Sequence, residues 1–197
     1  MFIFLRDKDL RHRLNFILAG PKRRVRRAHL GLRLRRAKRR RDELERELGE
    51  KAWLARLEPS RFETDYREIE RLDQILARRQ VELTDLRGRS LSVQSRLQEI
   101  RVRRKARTGG TGAATPPPLK NEEADLKKKL KALKRRIRAG EDETRRTAAE
   151  RTSRLQALGE KVDERRIESG DLAGLYAGID KINRTIVATL DQIDALK

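Results

Sequence analysis

Residues 60–106 read SRFETDYREIERLDQILARRQVELTDLRGRSLSVQSRLQEIRVRRKA, and two rows of mainly apolar positions recur in them at every seventh residue. One row consists of Ile69, Leu76, Leu83, Ser90 and Leu97, and the other consists of Leu72, Arg79, Leu86, Val93 and Ile100. Two interleaved rows at this spacing are typical of a coiled-coil seam, which the polar residues at 79 and 90 interrupt. The stretch therefore predicts one long helix that packs along a second helix.

The same spacing recurs, in shorter rows, in residues 30–55, 119–137 and 172–196. Helix-breaking residues separate these segments at Gly20-Pro21, Glu58-Pro59-Ser60, the run from Thr108 to Pro118, and Ser169-Gly170-Asp171. Because helices joined by a few residues pack antiparallel, we expect an all-α fold of two coiled-coil hairpins in tandem, either separate or packed as a bundle. The expected parts are a short amphipathic segment (1–21), a basic hairpin (22–107), a Gly/Pro linker (108–118) and a second hairpin (119–197).

An internal repeat becomes visible when the chain is shifted against itself by 110 residues. Leu48-Gly49-Glu50-Lys51 then coincides with Leu158-Gly159-Glu160-Lys161, and Tyr66 coincides with Tyr176, the only other tyrosine. Coiled coils share Leu and Ile by default, but this identity and the tyrosine pair at one common offset indicate a duplication.

The repeated Leu-Gly-Glu-Lys motif has two interpretations. In the first, the glycine relieves crowding near the tip of each hairpin. In the second, the motif forms a contact platform for a partner protein together with Trp53, Tyr66 and Tyr176. Trp53 coincides with Asp163 in the repeat, so it is either a local plug or an exposed anchor. The first interpretation is the simpler one, and the three aromatic residues are candidate partner contacts.

The tandem arrangement, the Leu-Gly-Glu motif and the tyrosine in the following helix resemble those of uncharacterised bacterial coiled-coil hairpin proteins. The resemblance covers residues 37–86 and 147–197. It implies a tandem coiled-coil fold and no particular activity.

Positive charge is concentrated at the N-terminal end of the chain, whose formal net charge is +20. Residues 1–41 contain sixteen Lys and Arg against two acids, and residues 22–41, the basic segment, contain no acid. We expect this segment to bind a polyanion, because binding would relieve its self-repulsion. Its cations are Lys22, Arg23, Arg24, Arg26, Arg27, Arg33, Arg35, Arg36, Lys38, Arg39, Arg40 and Arg41.

Two polyanions fit the basic segment. Nucleic acid would be bound through its phosphates without sequence specificity, because residues 17–52 contain no aromatic side chain for base stacking. An anionic membrane surface is the alternative, since Phe2, Phe4 and Phe16 precede the cations as a second membrane signal. A scaffold that binds only protein, or a homo-oligomer formed through the seams, is the third reading. The absence of cysteine favours the cytoplasm, with the inner membrane face as the peripheral alternative.

The sequence predicts no catalytic site, metal site, cofactor or small-molecule substrate. His12 and His29 are the only histidines, and arginines surround both. The glycines at 109–112 lack the Lys-Ser/Thr pair that a phosphate-binding loop requires. We therefore expect a protein that binds other molecules and is not an enzyme.

Overall fold

A computed structural model describes the backbone of residues 7–108, 117–167 and 169–196, and side chains over 23–106, 120–167, 169–170 and 172–196. Over these ranges the chain forms α1 (Asp7–Leu54), α2 (Pro59–Thr108), α3 (Pro117–Arg165) and α4 (Ala173–Asp194), with a 3₁₀ turn at Gly170–Leu172. The all-α class is therefore confirmed. Most of the linker at 108–118 and the side chains of the segment 1–21 lie outside the described residues.

The predicted break at Gly20-Pro21 does not interrupt a helix. α1 continues through Gly20 and Pro21, so residues 7–21 belong to the same helix as the basic segment. α3 continues through Gly140 in the same way. Proline and glycine are tolerated here because one missing hydrogen bond or a glycine costs far less than dividing a helix of nearly fifty residues.

The chain divides into two compact units. Unit 1 comprises Met1–Phe62 and Leu155–Lys197, and unit 2 comprises Glu63–Arg154. The boundary at residue 154 falls inside α3, so the units do not coincide with the segments 22–107 and 119–197 that were expected as hairpins.

Unit 2 is an antiparallel pair of α2 with α3. Arg104 of α2 is bonded to Glu123 of α3 at 3.2 Å. Arg87 is bonded to Glu141 at 2.7 Å, and further along Glu68 is bonded to Arg154 at 3.2 Å. The partner residue numbers fall along α2 as they rise along α3, which defines the antiparallel direction.

The heptad positions of α2 form the inner face of this pair. Ile69, Leu83, Leu97 and Ile100 are all at most 5% exposed, and Ser90 is buried with them. Arg79, the other polar residue of the rows, forms an ion pair with Glu143 of α3. The predicted seam is confirmed, and its charged interruption is neutralised by the partner helix.

In unit 1, α1 packs against α4. The side chain of Leu44 lies against Gly178, where a Cβ would be 3.1 Å from a Leu44 methyl group. Leu30 and Thr189 are also buried. Leu30 precedes Leu44 in α1 and Thr189 follows Gly178 in α4, which is the order that an antiparallel pair requires. The contact of residues 44 and 178 is the equivalent, at the 110-residue offset, of the bond between Arg154 and Glu68 in unit 2.

The helix pairing corrects the expected one. The sequence predicted that α1 pairs with α2 and that α3 pairs with α4, each through a short turn. The structure instead pairs α2 with α3 and α1 with α4, so the second helix of each repeat packs along the first helix of the other repeat. The helices form antiparallel pairs as predicted, but each helix has a different partner from the predicted one.

The Leu-Gly-Glu-Lys motif lies where α1 crosses the last turns of α3 in unit 1. A Cβ on Gly49 would be 2.8 Å from the carbonyl carbon of Leu155 and 2.9 Å from the amide nitrogen of Gly159. A Cβ on Gly159 would be 2.6 Å from the carbonyl carbon of Glu45 and 3.0 Å from the amide nitrogen of Gly49. The glycines therefore let two helix backbones touch, and each contacts the equivalent residues of the other repeat.

The backbone after each crossing helix repeats as well. Arg56 and Arg166, which are 110 residues apart, both have a φ of 50°. At the end of α1, the amide of Arg56 donates to Trp53 O at 3.3 Å and the amide of Leu57 donates to Ala52 O at 3.1 Å, which is a Schellman motif. The amide of Arg166 donates to Asp163 O at 3.2 Å in the same way. The duplication is thus visible in the local backbone conformation.

Candidate nucleic-acid interface

The basic segment is an exposed stretch of helix α1. Its cations from Arg23 to Arg40 are all classed as exposed, and Arg41 is half-buried. The side chain of Lys22 lies outside the described residues. The inner face consists of buried Leu30 with half-buried Leu34 and Ala37, so most of the helix circumference is available to a ligand.

Carboxylate partners begin only at the C-terminal end of this segment. Arg40 is bonded to Glu43 at 2.8 Å, and Arg41 is bonded to Glu45 at 2.7 Å. In the described part of the chain, the cations from Arg23 to Arg39 have no such ion pair. A helix surface of this kind holds unneutralised positive charge that phosphate groups can occupy.

Two apolar side chains interrupt the outer face of the basic segment. Val25 is 71% exposed and Leu32 is 48% exposed. They are seven residues apart, which places them on one side of the helix, away from Leu30. A surface that binds only phosphates does not need exposed apolar side chains, whereas a surface that binds a membrane does. This pair therefore favours the membrane alternative.

Two carboxylates with raised pKa values lie just beyond the basic segment, at the crossing of α1 with α3. Glu45 is 2% exposed, accepts a hydrogen bond from Gln156 Nε2 at 3.4 Å, and pairs with Arg41. Burial raises the pKa of Glu45, and Arg41 only partly opposes this. Burial likewise raises the pKa of Asp163, against the opposing charge of Arg166. Of the cations of the basic segment, the half-buried Arg41 is the one that acts on both carboxylates.

Arg166 joins the turn after α3 to helix α4. Its guanidinium is bonded to Asp180 at 2.5 Å and lies 5.0 Å from the centre of the Tyr176 ring. The bond to Asp180 raises the pKa of the Arg166 guanidinium. Tyr176 in turn donates a hydrogen bond from its hydroxyl to Ile167 O at 3.1 Å, and burial raises the pKa of this hydroxyl. This cluster could not be predicted from the sequence, because ordinary helix-surface residues form it.

The three aromatic residues proposed as partner contacts differ in exposure. Tyr66 is 1% exposed, so it is a packing residue and not a surface contact. Tyr176 and Trp53 are half-buried, and Tyr176 is engaged with Arg166. Tyr176 and Trp53 each keep part of their surface open, so both stay candidate partner contacts.

The predicted histidine positions add no site. His29 is exposed on α1, and the side chain of His12 lies outside the described residues. The described side chains contain no group of three or more His, Asp or Glu that could hold a metal ion. Over the same part of the chain, no helix has an apolar stretch long enough to cross a membrane.

A second set of cations, which the sequence analysis did not single out, lies on α3. Residues 126–140 contain eight Lys and Arg and no acid. Seven of the eight are unpaired by any carboxylate in the described part of unit 2, and Lys127 is bonded to Glu123 at 2.6 Å. The net charge of the whole chain does not reveal this run, whereas the net charge in windows of about fifteen residues does.

Comparison with protein-family models, curated proteins and solved structures finds no match. The resemblance to bacterial tandem coiled-coil proteins thus stays a prediction from the motif, and function must be argued from the surface of this chain.

Proposed function

We propose that this protein is a non-enzymatic coiled-coil protein that binds nucleic acid, without sequence specificity, through the basic segment of α1. The observation that supports the proposal is the exposed run of cations from Arg23 to Arg39, which has no carboxylate partner in the described part of the chain. Counterion release from a phosphate backbone provides the free energy of binding to such a surface. The segment is part of helix α1, which packs against α4.

Binding to duplex DNA and RNA as a function of salt tests the proposal. We expect the fluorescence anisotropy of a labelled 30-base-pair duplex to report binding that weakens steeply with salt and differs little between sequences. Arg24→Gln, Arg35→Gln and Arg39→Gln together remove three exposed cations. With a slope contribution of about 0.9 per phosphate contact, the plot of log K against log salt should flatten by up to about 2.7.

A matched control removes the same charge elsewhere. Arg78, Arg145 and Arg146 are exposed residues of unit 2, and their triple change to Gln should leave the slope nearly unaltered. The proposal fails if the wild-type protein binds neither duplex at low salt, or if the control triple weakens binding as much as the α1 triple does.

The anionic membrane surface is the second candidate, and the exposed pair Val25 and Leu32 favours it. Apolar side chains beside cations can enter the boundary between headgroups and acyl chains. Under this alternative, Val25→Ser with Leu32→Ser weakens co-sedimentation with phosphatidylglycerol vesicles and leaves duplex binding unchanged. Loss of vesicle binding on deletion of residues 1–19 would further support it.

A further inference from the structure

We infer that unit 2 carries a second, separate nucleic-acid-binding surface on helix α3, a stripe formed by Lys127, Lys131, Lys134 and Arg138. The inference relies on the proposed function for the class of ligand, a phosphodiester polyanion. It does not rely on the basic segment of α1 for its affinity, because the cations belong to another helix.

Charge is distributed unevenly along unit 2. In one half, residues 63–90 contain seven acids and six cations, and residues 141–154 contain four of each. In the other half, residues 91–106 contain five cations and one acid, and residues 120–138 contain nine cations and three acids. The first half therefore has a net charge of −1 and the second a net charge of +10. Because α2 and α3 are antiparallel, the positive parts of both helices lie at the same end of the pair.

Ion pairs between the two helices join charges of the first half, whereas three of the four stripe cations have no carboxylate partner among the described residues. Around residues 141–154, Glu141 is bonded to Arg87 at 2.7 Å, Arg154 is bonded to Glu68 at 3.2 Å, and Arg151 forms an ion pair with Asp73. In the stripe, Lys127 is bonded to Glu123, and the other three cations have no carboxylate partner among the described residues. The positive charge is thus available to a ligand.

The spacing of the stripe fits a row of phosphates. Its residues follow one another at intervals of four, three and four, which places them on one side of an α-helix. The eleven-residue span corresponds to about 16 Å at 1.5 Å per residue, and one strand of a duplex carries roughly five phosphates over that length of its axis, at about 3.4 Å of axis each. With Arg135, the four cations line a shallow depression of about 360 Å³ over half-buried Leu130.

The surroundings of the stripe favour nucleic acid over a membrane. The large apolar side chains that are exposed in the described chain lie on α1, α2 and α4, and none lies on α3. Leu130, Leu133 and Ile137 are half-buried on the face toward α2. Membrane attachment through a helix requires an apolar face that enters the lipid, whereas contact with phosphates requires only the cations.

The experiment compares two triple variants of the full-length protein on a labelled 30-base-pair duplex between 50 and 150 mM salt. Lys131→Gln, Lys134→Gln and Arg138→Gln remove three cations from the stripe. Arg78→Gln, Arg145→Gln and Arg146→Gln remove the same charge from the balanced half of the same unit. We expect the stripe triple to weaken binding roughly tenfold or more and to flatten the salt dependence, and the control triple to change it less than about twofold.

The outcomes separate this inference from the proposed function. If the stripe triple and the control triple weaken duplex binding equally, the stripe is not a binding surface. This holds even where the α1 triple Arg24→Gln, Arg35→Gln and Arg39→Gln still abolishes most binding. Absence of any binding by the wild-type protein overturns both. Far-ultraviolet circular dichroism of each variant verifies that helix content is unchanged, and if the stripe triple unfolds, the single change Lys134→Glu against Arg146→Glu gives the same comparison.

Discussion

Alanine at either glycine of the helix crossing should destabilise unit 1. A Cβ at Gly49 would lie 2.8 Å from the carbonyl carbon of Leu155, and closer still to the oxygen of that group. Carbon atoms in contact are normally about 3.5–4.0 Å apart, so α1 and α3 must separate by about 1 Å. That separation loosens the packing of Leu48 and Leu158, which are both 0% exposed.

The magnitude follows from two opposing contributions. Overpacking of this kind costs about 1–3 kcal/mol, and the obstacle here is backbone that cannot rotate away. Alanine in a helix gains up to about 1 kcal/mol over glycine. Because the carbonyl clash places Gly49 at the upper end of the first range, we expect a net loss of about 1–2 kcal/mol. For a chain of this size the loss lowers the melting temperature by roughly 2–8 °C.

Two other glycines serve as controls, because alanine at either position should raise the melting temperature instead of lowering it. A Cβ at Gly31 of α1 or at Gly88 of α2 would meet nothing within 4 Å. Gly31→Ala and Gly88→Ala should therefore raise the melting temperature, followed by circular dichroism at 222 nm, by a few degrees. The double variant of Gly49 and Gly159 should cost less than the sum of its two parts, because one separation of the helices accommodates both methyl groups. A melting temperature that rises on Gly49→Ala, as it does for Gly31→Ala, would refute the close crossing.

Three further changes probe unit 1. Burial raises the pKa of Glu45 above its ordinary 4.5, so near and above pH 4.5 the folded state binds more protons than the unfolded chain. The free energy of unfolding therefore falls as the pH rises from the ordinary pKa of Glu45 through its raised pKa. Since glutamine does not titrate, the urea midpoint of Glu45→Gln relative to wild type should increase from pH 4 to pH 7; a constant difference contradicts this. Arg56 has a φ of 50°, which glycine adopts without strain, so Arg56→Gly should stabilise the protein by about 0.5–1 kcal/mol in urea unfolding, whereas a loss would contradict the left-handed conformation. Tyr176→Phe removes the hydrogen bond to Ile167 O and should cost about 0.5–1.5 kcal/mol in the same assay, with no cost counting against that bond.

Heptad spacing was sufficient to predict the helices and their inner faces. Ile69, Leu83 and Leu97 lie in the seam as the rows indicated, because a period of seven places them on one face of any long helix. The pairing of the helices could not be predicted in the same way. Any of the four seams can pack on any other, and apolar rows carry little information about their partner.

The features that distinguish one pairing from another leave no recognisable pattern in the sequence. Arg56 and Arg166 adopt positive φ although arginine is not typical of that conformation, so their left-handed backbone could not be predicted, although breaks close to both residues were. The ion pairs of Arg79 with Glu143 and of Arg87 with Glu141 join residues more than fifty positions apart. Both depend on the three-dimensional arrangement and become visible only with it.

The candidate surfaces were predictable to different degrees. The exposure of the basic segment followed from its lack of acids, since a dozen cations cannot be buried without partners. The stripe was hidden by acids elsewhere in the same predicted hairpin. In the structure, two of those acids, Glu141 and Glu143, form ion pairs with arginines of α2.

Crosslinking between α2 and α3 within one chain tests the helix pairing most directly. The protein contains no cysteine, so Arg87→Cys with Glu141→Cys, which replace a surface ion pair of 2.7 Å, provides a unique target for a short bismaleimide. Arg87→Cys with Glu122→Cys is the control, because residue 122 lies nineteen residues before residue 141 on α3, or about 28 Å away. We predict that the first pair crosslinks efficiently and gives a product with the mass of a single chain, and that the second pair gives little crosslinked product. Equal crosslinking of both pairs, or products that form only between chains, would contradict the pairing.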